Sequence, residues 1–485
     1  MEMNAFPFVI SFLVPLILGP FLFKLDGKKA DVFMLITVVS SFLANLVGVL
    51  EYLKVDGVHH IVYLKTSSLG EVYGVIIDPM SVLVGFVVSL AGVLFLLYAV
   101  DYMSDKNKQH PVHSDKGRFY AWMVIFVGAT LAFIYSSTTL QLLIFFEIMG
   151  LACWGVVGYY GTPKAERAAY KALLVPNFGA MAGLYTSVGV GILKLHDLSL
   201  YALQNLDGNL KLLVFLGIMI AAFTKSAQFP LYSWLPDAMA APTPASAFLH
   251  GAAMIEMGVY LLARVIQFMQ PIPETAFYVM LVFVSLTLLI AILYYPLQRD
   301  AKRLLAYSTI AEAGIMYVGV LYAVLGSLYG LQAAMFQLAN HAFVKGLAFL
   351  TAGTFSYAFG TLDMERIKGL GKLVPIVGAS WFLALLGLAG VPPLGLFFSK
   401  AYLFMNASSI ANWVGWIPLL LVLADATVFL AVSLGWIKRM VFSEPLQEGA
   451  EVPPLMRFVL VVLIILSIVA PFISLRIITQ IGFVR

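Results

Sequence analysis

The sequence predicts an all-α polytopic membrane protein, and its composition and its long apolar segments indicate this fold class. Of the 485 residues, 61% are hydrophobic and 11% are charged, whereas an ordinary soluble domain has about 25% charged residues. A transmembrane helix needs about 20 predominantly apolar residues, and we find fourteen segments suited to that role. These properties exclude a soluble globular protein and favour a single helical membrane unit.

The fourteen predicted spans follow one another with short connections. They lie near residues 6–23, 30–53, 75–100, 118–136, 139–160, 168–193, 211–230, 243–268, 275–297, 303–325, 328–358, 376–406, 411–437 and 455–478. The first span does not have the order of a secretory signal, because its basic residues Lys24, Lys28 and Lys29 follow the apolar run instead of preceding it. We therefore count it as the first helix.

The basic residues are divided unevenly between the two sets of loops. Loops after odd-numbered spans have nineteen Lys and Arg residues, among them Lys302, and the other loops have seven, among them Arg264. Because cytoplasmic loops are enriched in basic residues, this asymmetry predicts cytoplasmic odd-numbered loops and both termini outside. The expected location is the lipid bilayer of a prokaryotic plasma membrane.

The remaining composition argues against several other classes of function. The formal net charge of +4 is spread along the chain, without the basic patch that nucleic-acid binding requires. The single cysteine, Cys153, cannot form an internal disulfide or a thiolate metal cluster, and no flavin, nicotinamide or iron–sulfur motif is found. We expect this chain to bind no cofactor and no metal, and to catalyse no bond-forming reaction by itself.

Nine ionisable residues within the predicted spans direct the search for function. They are Glu147, Lys225, His250, Glu256, Glu312, His341, Lys345, Lys400 and Asp425. A charge at membrane depth costs about 2.5 to 3.5 kcal/mol on insertion scales, so such residues usually face a protein interior and have a function. Structural ion pairs are the alternative, but buried pairs repay their desolvation poorly. The set as a whole favours an ion pathway.

Individual members of this set fit the pathway unequally. His341 and Lys345 share a helix face with Gln337, and such a polar stripe suggests a hydrated path. Taken alone, a histidine such as His250 is more often a hydrogen-bonded core histidine than a proton relay. Asp425, which lies between two alanines, suits helix packing as well as cation binding.

Prolines predict that two of the spans are broken helices. Lys225 is followed by Pro230 and Pro236, and Lys400 is preceded by Pro392 and Pro393. Proline removes a backbone donor and clashes one turn back, and broken helices at membrane depth are tolerated only where the freed groups face protein or water. In transporters such breaks occur in repeated halves around an ion site, so the two lysines are candidate equivalents in an internal repeat.

The motifs around these residues resemble one family of membrane subunits. The run TKSAQFPLYSWLPDAMAAPTPASAFLHGA, from Thr224 to Ala252, is similar to the signature of the proton-translocating, antiporter-like subunits of respiratory complex I, Mrp-type cation/proton antiporters and membrane-bound hydrogenases. Further matching segments are VIIDPMSVL, FFEIMGL, RDAKRLLAYSTIAEAGIM, LANHAFVKGLAFLTAG and GVPPLGLFFSKAYLF. The resemblance implies fourteen helices, in which helices 4–8 and 9–13 form two inverted five-helix repeats around a central polar axis.

The same resemblance implies a division of the chain and a set of partners. It places three N-terminal helices in 1–117, the first repeat in 118–268, the second repeat in 269–440 and a C-terminal helix in 441–485. The partners would be other membrane subunits of the family and a peripheral redox or antiport module. Because the chain ends about seven residues after the last predicted span, it resembles the shorter, central members.

Roles for individual residues also come from the resemblance. Glu147 and Lys225 match the carboxylate of the fifth helix and its lysine partner on the broken seventh helix. The remaining matches are His250 on the eighth helix, His341 and Lys345 on the eleventh, and Lys400 on the broken twelfth. The implied mechanism is that opening and closing of the first pair controls the proton on Lys225, which then passes along the axis to Lys400.

Two residues depart from the family pattern and leave alternatives open. Glu256 in MIEMGVYL stands where lysine is usual, and Glu312 in TIAEAG stands where a neutral residue or histidine is usual. The first alternative is a modified proton path. The second is a Na⁺ site with oxygens from Glu256, Glu312 or Asp425, and the third is a non-conducting scaffold. A stand-alone transporter for an organic solute is a fourth, although no span shows the aromatic-rich pocket it would need.

Overall fold

The computed structural model describes residues 3–405, 413–446 and 451–484. Within these residues, thirteen helical segments are long and apolar enough to cross a membrane. The remaining predicted span, 376–406, consists of two shorter apolar helices. The protein is therefore a multi-pass helical membrane protein, as predicted. Two predicted spans extend beyond the described residues, at positions 406, 411 and 412. The terminal residues 1, 2 and 485 also lie outside the described residues.

The N-terminal part contains three long helices and one β-hairpin. Its elements are α1 (Phe6–Leu18), α2 (Gly27–Val55), β1 (His59–Thr66), β2 (Gly70–Ile77) and α3 (Pro79–Tyr102). The strands pair antiparallel, and the all-α prediction missed them. The third span was predicted to start at residue 75, but Asp78 and Ser81 form a reciprocal capping box that starts α3 at Pro79.

The next group of helices contains the first predicted break. Its elements are α4 (Lys116–Tyr135), α5 (Thr139–Val157), α6 (Pro163–Ala180), α7 (Thr186–Val190), α8 (Gly208–Lys225), α9 (Trp234–Asp237), α10 (Thr243–Gly251) and α11 (Met254–Met269). Wider helical turns continue α6 and α7 as far as Leu195. The break after Lys225 confirms the prediction. A further break, between α10 and α11, was predicted as continuous helix.

The last group of helices contains the second predicted break. Its elements are α12 (Thr275–Tyr294), α13 (Ala301–Val324), α14 (Leu328–Thr354), α15 (Leu370–Leu373), α16 (Pro375–Leu388), α17 (Gly395–Met405), α18 (Trp416–Met440) and α19 (Pro454–Ile478). The chain leaves the helical path between α16 and α17, as the prolines predict. The domain boundaries at 117, 268 and 440 and the inverted relation of the repeats stay predictions.

Burial separates a set of central helices from a surrounding set. The most apolar stretch of the α10–α11 segment is fully buried, as is that of α13, and the segment from Leu328 to Phe359 is 94% buried. In the segments that contain α1, α2 and α19, only 33 to 39% of the most apolar stretch is buried. A helix buried on all sides belongs to the core of a large bundle, whereas apolar side chains on the outer helices suit contact with lipid. Five of the nine candidate residues lie on the central helices: His250, Glu256, Glu312, His341 and Lys345.

A buried polar axis as the candidate functional site

The structure places the nine predicted residues on helices that pack around the centre of the bundle. Glu147 lies on α5, Lys225 on α8, His250 on α10, Glu256 on α11, Glu312 on α13, His341 and Lys345 on α14, Lys400 on α17 and Asp425 on α18. Glu147 is half-buried and the other eight are buried. Their partners define three groups of contacts, which we call the first, middle and last parts of the axis.

Glu147 and Lys225 form the first part of the axis, where they are not ion-paired. Lys225 Nζ donates to the carbonyl oxygen of Phe146 at 2.8 Å and lies 3.8 Å from the centroid of the Phe146 ring, a cation–π geometry. Glu147 Oε2 accepts from Asn177 Nδ2 at 2.9 Å, and its Oε1 has no hydrogen-bond partner. The two predicted partners are therefore bonded to separate neutral neighbours and not to each other.

His250 lies at the end of α10, directly before the break that separates α10 from α11. Its Nδ1 is 3.1 Å from Thr309 Oγ1 on α13, and its Nε2 has no hydrogen-bond partner. The ring packs against Phe349 with centroids 4.6 Å apart. One nitrogen is thus fixed by α13, and the other is available to a further donor or acceptor.

Glu256 and His341 form a direct contact in the middle part of the axis. His341 Nδ1 is 2.8 Å from Glu256 Oε1, and neither side chain is exposed. On the same face of α14, Lys345 Nζ donates to Ser308 Oγ at 2.6 Å and to the Leu305 carbonyl oxygen at 3.2 Å. The glutamate that departs from the family pattern is therefore paired with a predicted pathway histidine.

Glu312 and Lys400 form an ion pair in the last part of the axis. Lys400 Nζ is 2.9 Å from Glu312 Oε1, and Gln337 Nε2 donates to Glu312 Oε2. Lys400 Nζ also donates to the Leu388 carbonyl oxygen at 2.9 Å. Leu388 ends α16, so the ammonium satisfies a carbonyl that the helix break has freed.

Asp425 is not joined to the other carboxylates. Its Oδ1 accepts from Tyr295 Oη at 2.7 Å, while Glu256 and Glu312 have the separate partners described above. Among the described residues, no group of three His, Cys, Asp or Glu side chains is arranged to hold a metal ion. The structure does not bring the three predicted Na⁺ ligands together into one oxygen shell.

Within the part of the chain that the structure describes, several buried polar atoms on or beside the axis have no hydrogen-bond partner. They are Glu147 Oε1, Gln228 Oε1, His250 Nε2, Glu256 Oε2, Asn340 Oδ1 and His341 Nε2. Buried polar groups in folded proteins are almost always hydrogen-bonded to protein or to water. The atoms of Glu147, His250, Glu256 and His341 have unused hydrogen-bonding capacity, whereas Glu312 and Lys400 are engaged with each other and with their neighbours.

Three buried basic residues that lie within helices were wrongly counted as loop residues: Lys211, Arg264 and Lys302. Arg264 is fully buried in α11, and its NH1 and NH2 lie 2.7 and 3.0 Å from the two carboxylate oxygens of Asp78. Lys302 is 2% exposed in the first turn of α13, where it donates to the carbonyl oxygens of Met239 and Ala241. The sequence could have identified Arg264 as a buried residue, because it lies within the apolar run MIEMGVYLLARVIQFM.

Comparison with known proteins places the chain among respiratory and antiporter membrane subunits. It is 31% identical over 420 residues to an Na(+)/H(+) antiporter subunit of Alkalihalophilus pseudofirmus, a match covering 82% of this chain and 50% of the relative. It is 35% identical over 384 residues to an F(420)H(2) dehydrogenase subunit of Methanosarcina mazei, covering 70% and 55%. The chain spans about half the length of these curated relatives.

Solved structures share the fold. A chain of the membrane-bound sulfane sulfur reductase (MBS), an archaeal respiratory membrane complex, superimposes with a TM-score of 0.84 at 21% identity, covering 99% of this chain and 96% of that one. A chain of the Mrp complex from Dietzia sp. DQ12-45-1b gives a TM-score of 0.83 at 24% identity, covering 98% and 51%. These identities establish similarity of fold and not of function.

The family model described as "NADH:quinone oxidoreductase/Mrp antiporter, TM" matches residues 136–425, which include all nine residues of the axis. The matched region therefore contains both predicted helix breaks and the helices that pack between them. The chain belongs to this family of transmembrane subunits.

Proposed function

We propose that this chain is an ion-translocating membrane subunit that moves protons along the buried axis from Glu147 to Lys400. Relatives named as Na⁺/H⁺ antiporter and dehydrogenase subunits support ion translocation. The observation that supports the route is the set of buried ionisable residues on successive packed helices, with Glu256 bound to His341 in the middle part. Ionisable residues in such positions mark proton relays in membrane proteins.

The first part of the axis provides a step that can control the proton. Lys225 is held by a neutral carbonyl and Glu147 by a neutral amide, so either side chain can exchange its partner without breaking an ion pair. Closing of the Glu147–Lys225 pair would favour the charged lysine, and opening it would favour release of the proton. In the proposed cycle, separate partners for the two side chains would represent the open arrangement.

The middle part of the axis provides donors and acceptors for onward transfer. Among the described residues, one ring nitrogen of His250, one ring nitrogen of His341 and one carboxylate oxygen of Glu256 have no hydrogen-bond partner. A carboxylate paired with an imidazole can accept a proton at one atom and release it from another, so Glu256 can replace a lysine as a relay. We therefore favour a modified proton path over a Na⁺ site, whose three carboxylates are separately engaged.

The energy for directed transport must come from outside this chain. Moving one charge against the membrane potential costs about 2.3 kcal/mol per 100 mV. We propose that other membrane subunits of the same family and a peripheral redox or antiport module supply it, in a prokaryotic plasma membrane with the odd-numbered loops inside. The relatives are named as subunits of larger complexes, which supports such an assembly.

A non-conducting scaffold is the second candidate function, and one contact favours it. The ion pair between Glu312 and Lys400 closes the last part of the axis, with both groups also bonded to their neighbours. Conduction requires this pair to open. If it is permanent, the chain serves assembly alone.

Replacement of Lys225 by alanine tests the proposed function. The complete complex is purified, reconstituted into vesicles and assayed for internal acidification. Because the relay loses its first proton carrier, Lys225→Ala should reduce proton transport by roughly a hundredfold or more, while assembly persists. The matched control is Lys194→Ala, which removes an exposed lysine and should leave transport unchanged. Full transport in Lys225→Ala would contradict the proposal.

A further inference from the structure

A cavity of about 650 Å³ opens where α6, α10 and α13 begin, and it is separate from the contacts of the axis described above. Five basic side chains line it: Lys164, Arg167, Lys171, Lys302 and Arg303. Its carboxylates are Asp237 and Asp300. The lining therefore has an excess of positive charge.

The two carboxylates do not neutralise the whole cluster. Asp237 is 2.7 Å from Lys171 Nζ, and Asp300 caps α13 by accepting from the backbone N–H of Arg303 at 2.9 Å. Lys164 and Arg167 have no hydrogen-bond or ion-pair partner within residues 3–405, 413–446 and 451–484. An anion entering the cavity would meet cations that have no carboxylate partner.

Lys302 adds a buried cation to the wall of the cavity. It is only 2% exposed, and its ammonium donates to the carbonyl oxygens of Met239 and Ala241 at 2.9 and 2.7 Å. An ammonium has three donors, so one donor of Lys302 remains after these two bonds. A charged group with a spare donor at this depth is suited to bind an anionic oxygen.

Three helices also direct their N-terminal ends to this cavity. Pro163 begins α6, Thr243 begins α10 and Lys302 lies in the first turn of α13, and all three line the cavity. Within the described residues, side chains already cap two of these ends, Thr162 at α6 and Asp300 at α13, whereas α10 has no side-chain cap. The free N–H groups and partial positive charge at the start of α10 favour an anion and add to the charge of the side chains.

An exposed apolar stripe runs along α6 from the rim of the cavity. Tyr170, Leu174, Phe178 and Met181 are 55 to 61% exposed, and their spacing of three or four residues places them on one face of the helix. Arg167 lies one turn before Tyr170, at the rim. A ligand with an anionic group and long apolar chains would match both surfaces together.

We propose that this cavity binds the phosphate headgroup of an anionic phospholipid, whose acyl chains lie along the exposed face of α6. Basic pockets between transmembrane helices bind anionic headgroups in this way. Free phosphate shares the headgroup chemistry, but only a lipid would use the cavity and the adjoining apolar face together. This inference concerns a site outside the axis and does not depend on proton transport.

Native mass spectrometry of the purified full-length chain tests the proposal. The chain is titrated with phosphatidylglycerol and, separately, with phosphatidylcholine. The variant is Lys164→Ala/Arg167→Ala, and the matched control is Lys28→Ala/Lys29→Ala, which removes two exposed lysines away from the cavity. We expect one tightly bound phosphatidylglycerol, at least about tenfold preferred over phosphatidylcholine, and weakened at least about tenfold by the cavity variant alone.

Three outcomes would overturn the proposal. They are equal affinity for the two lipids, equal loss of phosphatidylglycerol in the cavity and control variants, and displacement of the lipid by millimolar inorganic phosphate that binds as tightly as the lipid does. The last result would assign the cavity to free phosphate. The unfolding temperature of each variant is measured as a control. If both variants unfold at the wild-type temperature, a loss of lipid binding does not result from a loss of fold.

Discussion

Glu147 and Lys225 lie beside each other at the start of the axis, yet each is bonded to a neutral neighbour. Lys225 binds the carbonyl of Phe146, and Glu147 binds the amide of Asn177. At the other end Glu312 and Lys400 are ion-paired. At the scale of single residues, the axis has one open pair and one closed pair, and transport by the proposed mechanism requires both to change.

Glu256→Gln tests the middle of the axis at the residue scale. Glutamine keeps the size of the side chain and can still bond His341, but it cannot exchange a proton. Proton transport by the reconstituted complex should fall roughly tenfold or more, while thermal stability stays close to that of the wild type. The control is Glu274→Gln at an exposed carboxylate. Unchanged transport in Glu256→Gln would remove Glu256 from the pathway.

The ion pair between Asp78 and Arg264 predicts a purely structural effect. Arg264→Met would leave the fully buried Asp78 without its cation, which costs about 3–5 kcal/mol when one partner of a buried pair is removed. Thermal unfolding of the purified chain should show this loss. The double variant Asp78→Asn/Arg264→Met should recover a large part of it, and a double variant less stable than Arg264→Met alone would argue against this explanation.

Breaks between helices position the axis at the scale of secondary structure. The break between α16 and α17 brings Lys400 against the Leu388 carbonyl oxygen, and Gly390 lies in that break with φ +79°. A Cβ atom at Gly390 would lie 3.2 Å from Lys400 Cδ. The glycine therefore permits both the turn and the close approach of the lysine.

Gly390→Ala tests this role, and Gly326→Ala is its matched control. Both glycines have positive φ, +79° and +85°, but a Cβ at Gly326 meets no atom within 4 Å. Each alanine should cost about 1–2 kcal/mol of stability through the left-handed backbone conformation. Only Gly390→Ala should also change proton transport, because only there does the methyl group press on Lys400. Equal transport in the two variants would contradict this role.

The elements also show what the sequence can and cannot predict. The breaks beside Lys225 and Lys400 were predicted because proline leaves a local signal. The break at Ala252 and Ala253 was missed because alanine favours helix, and only tertiary packing interrupts the helix there. The hairpin was missed because Val75–Ile77 reads as part of an apolar span.

The same limits apply to the site. All nine residues could be selected as candidates because an ionisable side chain in an apolar run is conspicuous, but the contacts between them could not be predicted. That Glu256 contacts His341, or that Glu312 contacts Lys400, depends on how α11, α13, α14 and α17 pack. Sequence spacing relates only residues on one helix, such as His341 and Lys345.

At the scale of the whole molecule, the helices differ in burial. The segments around α10, α11, α13 and α14 are almost completely buried and contain most of the axis, whereas α1, α2 and α19 expose large apolar side chains. Five of the nine candidate pathway residues lie on the buried segments, and basic residues near the starts of α6 and α13 line a cavity.

The number of protons moved per turnover of the driving module tests the central claim most directly. It is measured in vesicles containing the complete complex, either with the wild-type chain or with Lys345→Met, which keeps the length of the side chain but removes its charge. We predict that the variant complex assembles and turns over but moves fewer protons per turnover. An unchanged proton number would show that this axis does not conduct and that the chain serves as a scaffold.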